Sequence, residues 1–189
     1  VGDRAADTRR SALGQVEVPA GDPRVALPAG YDDLGALADE VAAAAGAETT
    51  IDRVLAVQQW FAGPESSFAY STDVPELRGD DALRDFLFDS RTGYCEYFAT
   101  GMAVMLRATG VPTRVAVGFL PGRVTDRPEA DGQPATFTVS TTDAHAWVEV
   151  WFDQYGWVKM DPTPRSETLA PSVEDLDPQP AAAQPAPVS

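Results

Sequence analysis

The sequence predicts an α+β domain, with helices in its first half and strands in its second. Three observations carry this. Apolar residues recur at helical spacing through Leu34–Val41, Ile51–Phe61 and Phe98–Leu106. After Pro112 the pattern changes to alternation, rich in β-branched and aromatic residues. The only cysteine and the only histidine, Cys95 and His145, fall on opposite sides of that change. One stands at a helix start and the other at a strand start.

Residues 1–30 are polar and turn-rich, with Gly21-Asp22-Pro23 and Pro28-Ala29-Gly30. Only Gln15-Val16-Glu17-Val18 alternates like a short strand, so this part reads as a leader wrapped over the domain or partly loose. From Asp32 to about Ala45, Leu34, Leu37, Ala38 and Val41 mark an amphipathic helix with Asp32 or Asp33 as its cap. Thr49-Thr50-Ile51-Asp52 carries a Thr-x-x-Asp cap for a second helix, which Gly63-Pro64 ends. Ser67 to Ser71 reads as a short extended piece. Asp80 or Asp81 caps a third short helix through Leu83, Phe86 and Leu87.

The loop Asp89-Ser90-Arg91-Thr92 ends at Gly93, and Cys95 follows in the first turn of the next helix. Unpaired N–H groups and the helix dipole there favour a thiolate. A lone cysteine is also commonly a small buried apolar residue, so the placement alone does not decide. Gly110 and Pro112 stop the helix.

Four strands are expected beyond Pro112: Thr113 to Leu120, Thr136 to Thr142, Ala144 to Phe152, and Trp157 to Met160. The Gly- and Pro-rich stretch 121–135 is too long for a simple hairpin loop and reads as a mobile surface loop, with a lid as the competing reading. The domain thus covers residues 31–165. Residues 166–189 end in a Pro/Ala-rich run of linker composition, which cannot bury enough to fold.

Fourteen Lys and Arg against 29 Asp and Glu give a net charge of −15. That field repels nucleic-acid phosphates and anionic membrane surfaces. One cysteine excludes an internal disulfide. No apolar run approaches the roughly 20 residues of a membrane span, and no signal peptide is visible. The chain starts on Val rather than Met, and the expectation is a domain excised from a longer protein. One Cys, one His and scattered carboxylates lack the clustered spacing of a zinc site, so no metal is expected.

A thiol nucleophile needs a base, and an imidazole base needs an acceptor to hold its tautomer. Cys95, His145 and Asp161 supply those roles in that order. The stretches Gly93-Tyr94-Cys95-Glu96-Tyr97-Phe98-Ala99, Leu106-Arg107-Ala108-Thr109-Gly110-Val111-Pro112-Thr113-Arg114, His145-Ala146-Trp147-Val148-Glu149 and Gly156 to Pro164 carry the chemistry. Together and in this order they resemble the motifs of the transglutaminase-like superfamily, over roughly residues 31–165. The resemblance implies a papain/transglutaminase-like α+β fold, with the nucleophile at a helix N-terminus packed on an antiparallel sheet that carries His145 and Asp161. It implies a catalytic set of Cys95, His145 and Asp161 and acyl transfer from a glutamine-type carboxamide of a protein or peptide to an amine or to water. It is nearest to bacterial members in which the domain lies outside the cytoplasm within a membrane protein, so the tail would lead to a membrane segment. No cofactor is implied.

Other readings stay open. Asp161 alone could be the acid of an Asp-Pro turn, and His145 a satisfied polar residue at a strand start. The whole could be a peptide-binding domain, or a structural part of a membrane assembly that retains the three residues. Trp147 shares strand parity with His145 and is a candidate substrate-binding wall; Trp151 shares that parity too. The Cys95 N–H is one oxyanion donor. The second is unassigned among Trp60, Gln58 and Gln59, with Trp60 favoured as core packing. Arg107 and Arg114 are expected to pair with carboxylates. The register of the last hairpin offers a test. Pairing Phe152 with Trp157 across an even loop would put Asp161 on the face away from His145, whereas an odd loop or a bulge near Gly156 would oppose it to Trp147 and bring it diagonally beside His145.

Overall fold

The computed structural model describes residues 13, 16, 18–74, 82–126 and 136–164. Its mixed helices and antiparallel sheet match the expected α+β class. A short 3₁₀ turn, Pro23–Val25, precedes α1 (Asp32–Ala44) and α2 (Thr50–Ala62). Neither aspartate caps α1: both lie in its first turn, behind an N-cap at Tyr31. There they suit the helix dipole, and Asp33 is held by Arg84 of the third helix at 2.6 Å, which lowers its pKa. The cap of α2 is as expected, with Thr49 and Asp52 bonded reciprocally.

Strand β1 (Ala69–Tyr70) pairs in parallel with β2 (Thr92–Gly93). Between them runs α3 (Ala82–Arg84), which widens into a π-type turn over Asp85–Ser90 and ends on Arg91 at φ 45. Its expected caps, Asp80 and Asp81, lie outside the described residues, as do half of the leader and the expected linker 166–189. Leu13 of the leader is nevertheless fully buried in the core.

Helix α4 (Cys95–Ala108) is the centre of the domain. Phe98, Met102, Met105 and Leu106 are fully buried among Phe61, Phe86 and Leu87 on one side and the sheet on the other. Strand β3 (Thr113–Phe119) follows, then β4 (Arg123–Asp126), β5 (Thr136–Thr138), β6 (Ala144–Phe152) and β7 (Gly156–Met160). Two expectations need correction here. The stretch 121–135 begins as a strand, β4, which pairs with β5 through a bulge, while 127–135 lies outside the described residues. The strand expected over Thr136–Thr142 stops at Thr138, because Ser140 and Asp143 form a reciprocal cap on a 3₁₀ turn at Thr141–Asp143. Local side-chain bonding there outcompetes the ladder.

The main sheet has the order β3-β6-β7, all antiparallel. In β6, Ala146, Val148, Val150 and Phe152 are buried against α4, each large one contributing about 1.5–3 kcal/mol by burial. Trp147, Glu149 and Trp151 alternate with them and are half-buried on the other face. Chain direction fixes which ends meet. Helix α4 has 14 residues, about 21 Å, and β3 has seven, about 23 Å. Strand β3 starts beside the end of α4, where the Thr113 hydroxyl donates to the Ala103 carbonyl, and runs back to the helix start. Strand β6 leaves from that end, and β7 returns to it. The first residue of α4, the start of β6 and the end of β7 therefore lie at one end of the sheet.

A candidate active site at the open end of the hairpin

The loop joining β6 to β7 is Asp153-Gln154-Tyr155, three residues, between the paired Phe152 and Gly156. Gly156 has φ +69, the left-handed value that closes such a loop and suits glycine. The odd loop sets Trp151 opposite Trp157 and Val148 opposite Met160. One step further opposes Asp161 to Trp147 and brings it diagonally beside His145. The side chains meet: His145 Nε2 lies 2.8 Å from Asp161 Oδ2. This is the arrangement the parity argument required. The Asp-Pro turn and the contact with His145 coexist, because the other carboxylate oxygen, Oδ1, accepts from the Thr163 N–H at 3.1 Å.

His145 is 5% exposed. Burial pushes the Asp161 carboxyl up. The hydrogen bond and charge of His145, with the Thr163 N–H, pull it further down, so the group titrates below its ordinary value of 3.8. The main chain is fixed as well. Gln58 of α2 is 4% exposed, and its Nε2 donates to the Asp161 carbonyl at 3.1 Å across 103 positions. The amide of Gln58, a candidate for the second oxyanion donor, thus ties Asp161 to the helical layer. Trp60 packs edge to face on Phe61 and Phe68, as expected for a core residue.

Cys95 is buried and opens α4, with Gly93 and Tyr94 leading into the helix. Tyr94, the N-cap, makes no side-chain cap bond. The first-turn N–H groups are thus not taken by a capping side chain. Trp147 stacks on His145 with ring centroids 6.4 Å apart, and the Lys159 ammonium lies 4.4 Å from its ring. The indole lies over Gly118, where a Cβ would come within 2.9 Å of it. Among the described residues its buried Nε1 has no hydrogen-bond partner. Trp151, which shares the parity of His145, packs instead on Trp157 at the far end. Arg114 pairs with Glu149 as expected. Among the described residues Arg107 has no carboxylate partner: it donates to the carbonyls of Thr113 and Ala26, and burial lowers its pKa.

The family model of the transglutaminase-like superfamily matches residues 35–162. The chain belongs to that superfamily. Its transglutaminase-like domain is 43% identical over 96 residues to the protein-glutamine gamma-glutamyltransferase of Pseudomonas aeruginosa, covering 51% of this chain and 13% of that protein. It is 33% identical over 119 residues to the uncharacterized protein YebA of Bacillus subtilis, covering 61% of this chain and 16% of that one. The chain therefore spans less than a fifth of either relative. Among solved structures, the periplasmic domain of TgpA from Pseudomonas aeruginosa superposes with a TM-score of 0.58 at 38% identity, over 74% of this chain and 45% of that one. The same domain bound to ethylmercury gives the same values of TM-score and identity. No helix among the described residues of the transglutaminase-like domain is long and apolar enough to cross a membrane.

Two contacts at this site, those of Gln58 and Thr163 with Asp161, are not expected from the sequence. Gln58 lies on a helix far along the chain from Asp161, and no local pattern announces a bond to a distant carbonyl. Thr163 had a signal, since Asp followed two residues later by an N–H donor is a turn motif.

Proposed function

We propose that the domain is a cysteine acyltransferase acting on glutamine-type carboxamides of proteins, with Cys95, His145 and Asp161 as its catalytic residues. The observation that carries this is the buried His145–Asp161 pair, at the sheet end where α4 begins with Cys95. Asp161 occupies the Nε2 side of the ring, so Nδ1 is the nitrogen that exchanges a proton with the thiol. The Cys95 thiolate attacks the carboxamide carbon. The new oxyanion is met by the uncapped N–H groups of the first turn of α4. His145 gives its proton to the departing nitrogen, the C–N bond breaks and ammonia leaves. An amine, or water, then attacks the thioester, loses its proton to His145 and releases the thiol.

Trp147 is the wall beside this site. Stacked on the imidazole, it keeps water from the His145–Asp161 hydrogen bond, which is worth more when dry. Likeness to a glutamyltransferase and to a periplasmic domain supports a protein glutamine as acyl donor and a place outside the cytoplasm, within a longer protein. The test is mass spectrometry after incubation with a glutamine peptide, with and without a primary amine. An acyl adduct on Cys95 is expected, with loss of ammonia, and the amine should discharge it. Turnover without any adduct on Cys95 would overturn the mechanism.

A further inference from the structure

Among the described residues, strand β3 is an edge of the main sheet. The hydrogen bonds on either side of its ladder give the phase. Trp151 N–H donates to the Pro112 carbonyl at 2.9 Å, and Leu120 N–H to the Asp143 carbonyl at 2.8 Å. Both fit the register that opposes Gly118 to His145 and Ala116 to Trp147. In an antiparallel pair, residues that exchange hydrogen bonds alternate with residues that do not. Arg114, Ala116 and Gly118 therefore spend their main-chain groups on β6. Val115, Val117 and Phe119 direct theirs outward, to the open edge.

The side chains of those three are also uncovered. They oppose Val148, Ala146 and Ala144 and so continue the face that packs on α4. Yet Val115 is 40% exposed, Val117 73% and Phe119 59%. Among the described residues no main-chain partner meets these outward groups, and a row of such N–H and C=O groups beside an apolar stripe is a template for another extended chain. The stripe runs toward the end of the sheet at which α4 starts with Cys95.

We infer that the open edge of β3 is the docking strand for the extended peptide segment that presents the acyl-donor glutamine. The segment pairs with Val115, Val117 and Phe119 and places every second side chain on the α4 face. A glutamine on that face near Phe119 is carried toward Cys95, while apolar neighbours cover Val117. A second copy of this chain is a poorer occupant, because each copy brings a net charge of −15 and like fields repel. The same field favours a segment flanked by basic residues. This inference rests on the proposed acyl transfer for its glutamine but not for the pairing itself.

The test uses the whole chain carrying Cys95→Ala, so that no chemistry intervenes. The probe is a short acetylated peptide of alternating valine and threonine around one glutamine, with a lysine at each end. Amide hydrogen exchange is followed residue by residue. At about ten times the dissociation constant, exchange at Val115, Val117 and Phe119 should slow about ten-fold, with Arg114, Ala116 and Gly118 unchanged. N-methylation of the peptide should abolish this at alternate positions only. Protection without the two-residue period, or no binding, would overturn the inference. So would slow exchange at the three residues in the free chain, which would assign the edge to a second copy if it depends on protein concentration and to the chain itself if it does not. A periodic pattern in a chain whose Cys95 never acylates would leave the edge standing and remove the mechanism, and the reverse result would do the opposite.

Discussion

At the loop end of the β6–β7 hairpin, Trp151 and Trp157 meet edge to face at 5.4 Å, with the guanidinium of Arg24 over one ring and that of Arg114 over the other. At the open end, His145 and Asp161 meet in the same register, but both are largely buried and each contact is a directed hydrogen bond. The loop end is built from surface contacts that tolerate displacement, and an exposed pair such as Arg114–Glu149 is worth about 0–1 kcal/mol. The open end holds groups whose loss leaves a buried partner unmet, at about 1–3 kcal/mol each. One hairpin thus combines a forgiving clasp with an exacting one, and substitutions separate them.

The largest effect is expected at the proposed nucleophile. Cys95→Ala should leave no measurable amine incorporation or ammonia release, since the chain has no other thiol. Its far-UV circular dichroism should match the parent. Asp161→Asn comes next. In the serine-protease triad the matching change lowers kcat by about 10⁴, and a large but incomplete loss is expected here. Full activity in this variant would remove Asp161 from the site. The pair also has a pH signature. The folded pKa of Asp161 is depressed, so its stabilising contribution is present above the ordinary value of 3.8 and disappears as pH falls through the lower, folded value. The stability gap between parent and Asp161→Asn in urea should therefore hold at neutral pH and close in acid.

Gln58→Met keeps the side chain's bulk and removes the donor to the Asp161 carbonyl. A small displacement of a positioned group can cost up to about 10²-fold, and the loss should fall on kcat while KM stays put. A change confined to KM would show that Gln58 does not act through Asp161. The smallest effect is expected at the other end. Arg114→Ala should cost less than about 1 kcal/mol, the more so in salt, and leave turnover unchanged. A drop in turnover would couple the two ends and abolish the contrast between them.

Much of the site was legible because it is encoded locally. The cap at Thr49–Asp52, the start of α4 at Cys95 and the length of β6 all follow from neighbours within a few positions. The parity argument reached further, since strand period and the choice of residues that pair across the turn together dictate which face Asp161 occupies. Other features depend on what lies opposite. Val115, Val117 and Phe119 announce a shared apolar face, but alternation cannot say whether anything covers it. Arg107 carries the charge of a pairing residue, yet its surroundings offer carbonyls. Strand β5 looked longer than it is because Thr and Ser satisfy both strand propensity and local capping, and capping won at Ser140.

The pairing of Phe152 with Gly156 also bears on where this chain tolerates changes in length. Residues added to the 153–155 loop bulge outward and leave the facing of every strand residue as it was, so that loop is free to drift in length and composition. One residue inserted between Trp157 and Met160 would turn Asp161 onto the α4 face, away from His145. Relatives with an intact site should then differ in length at the loop and never, by a single residue, within the short strand that follows it.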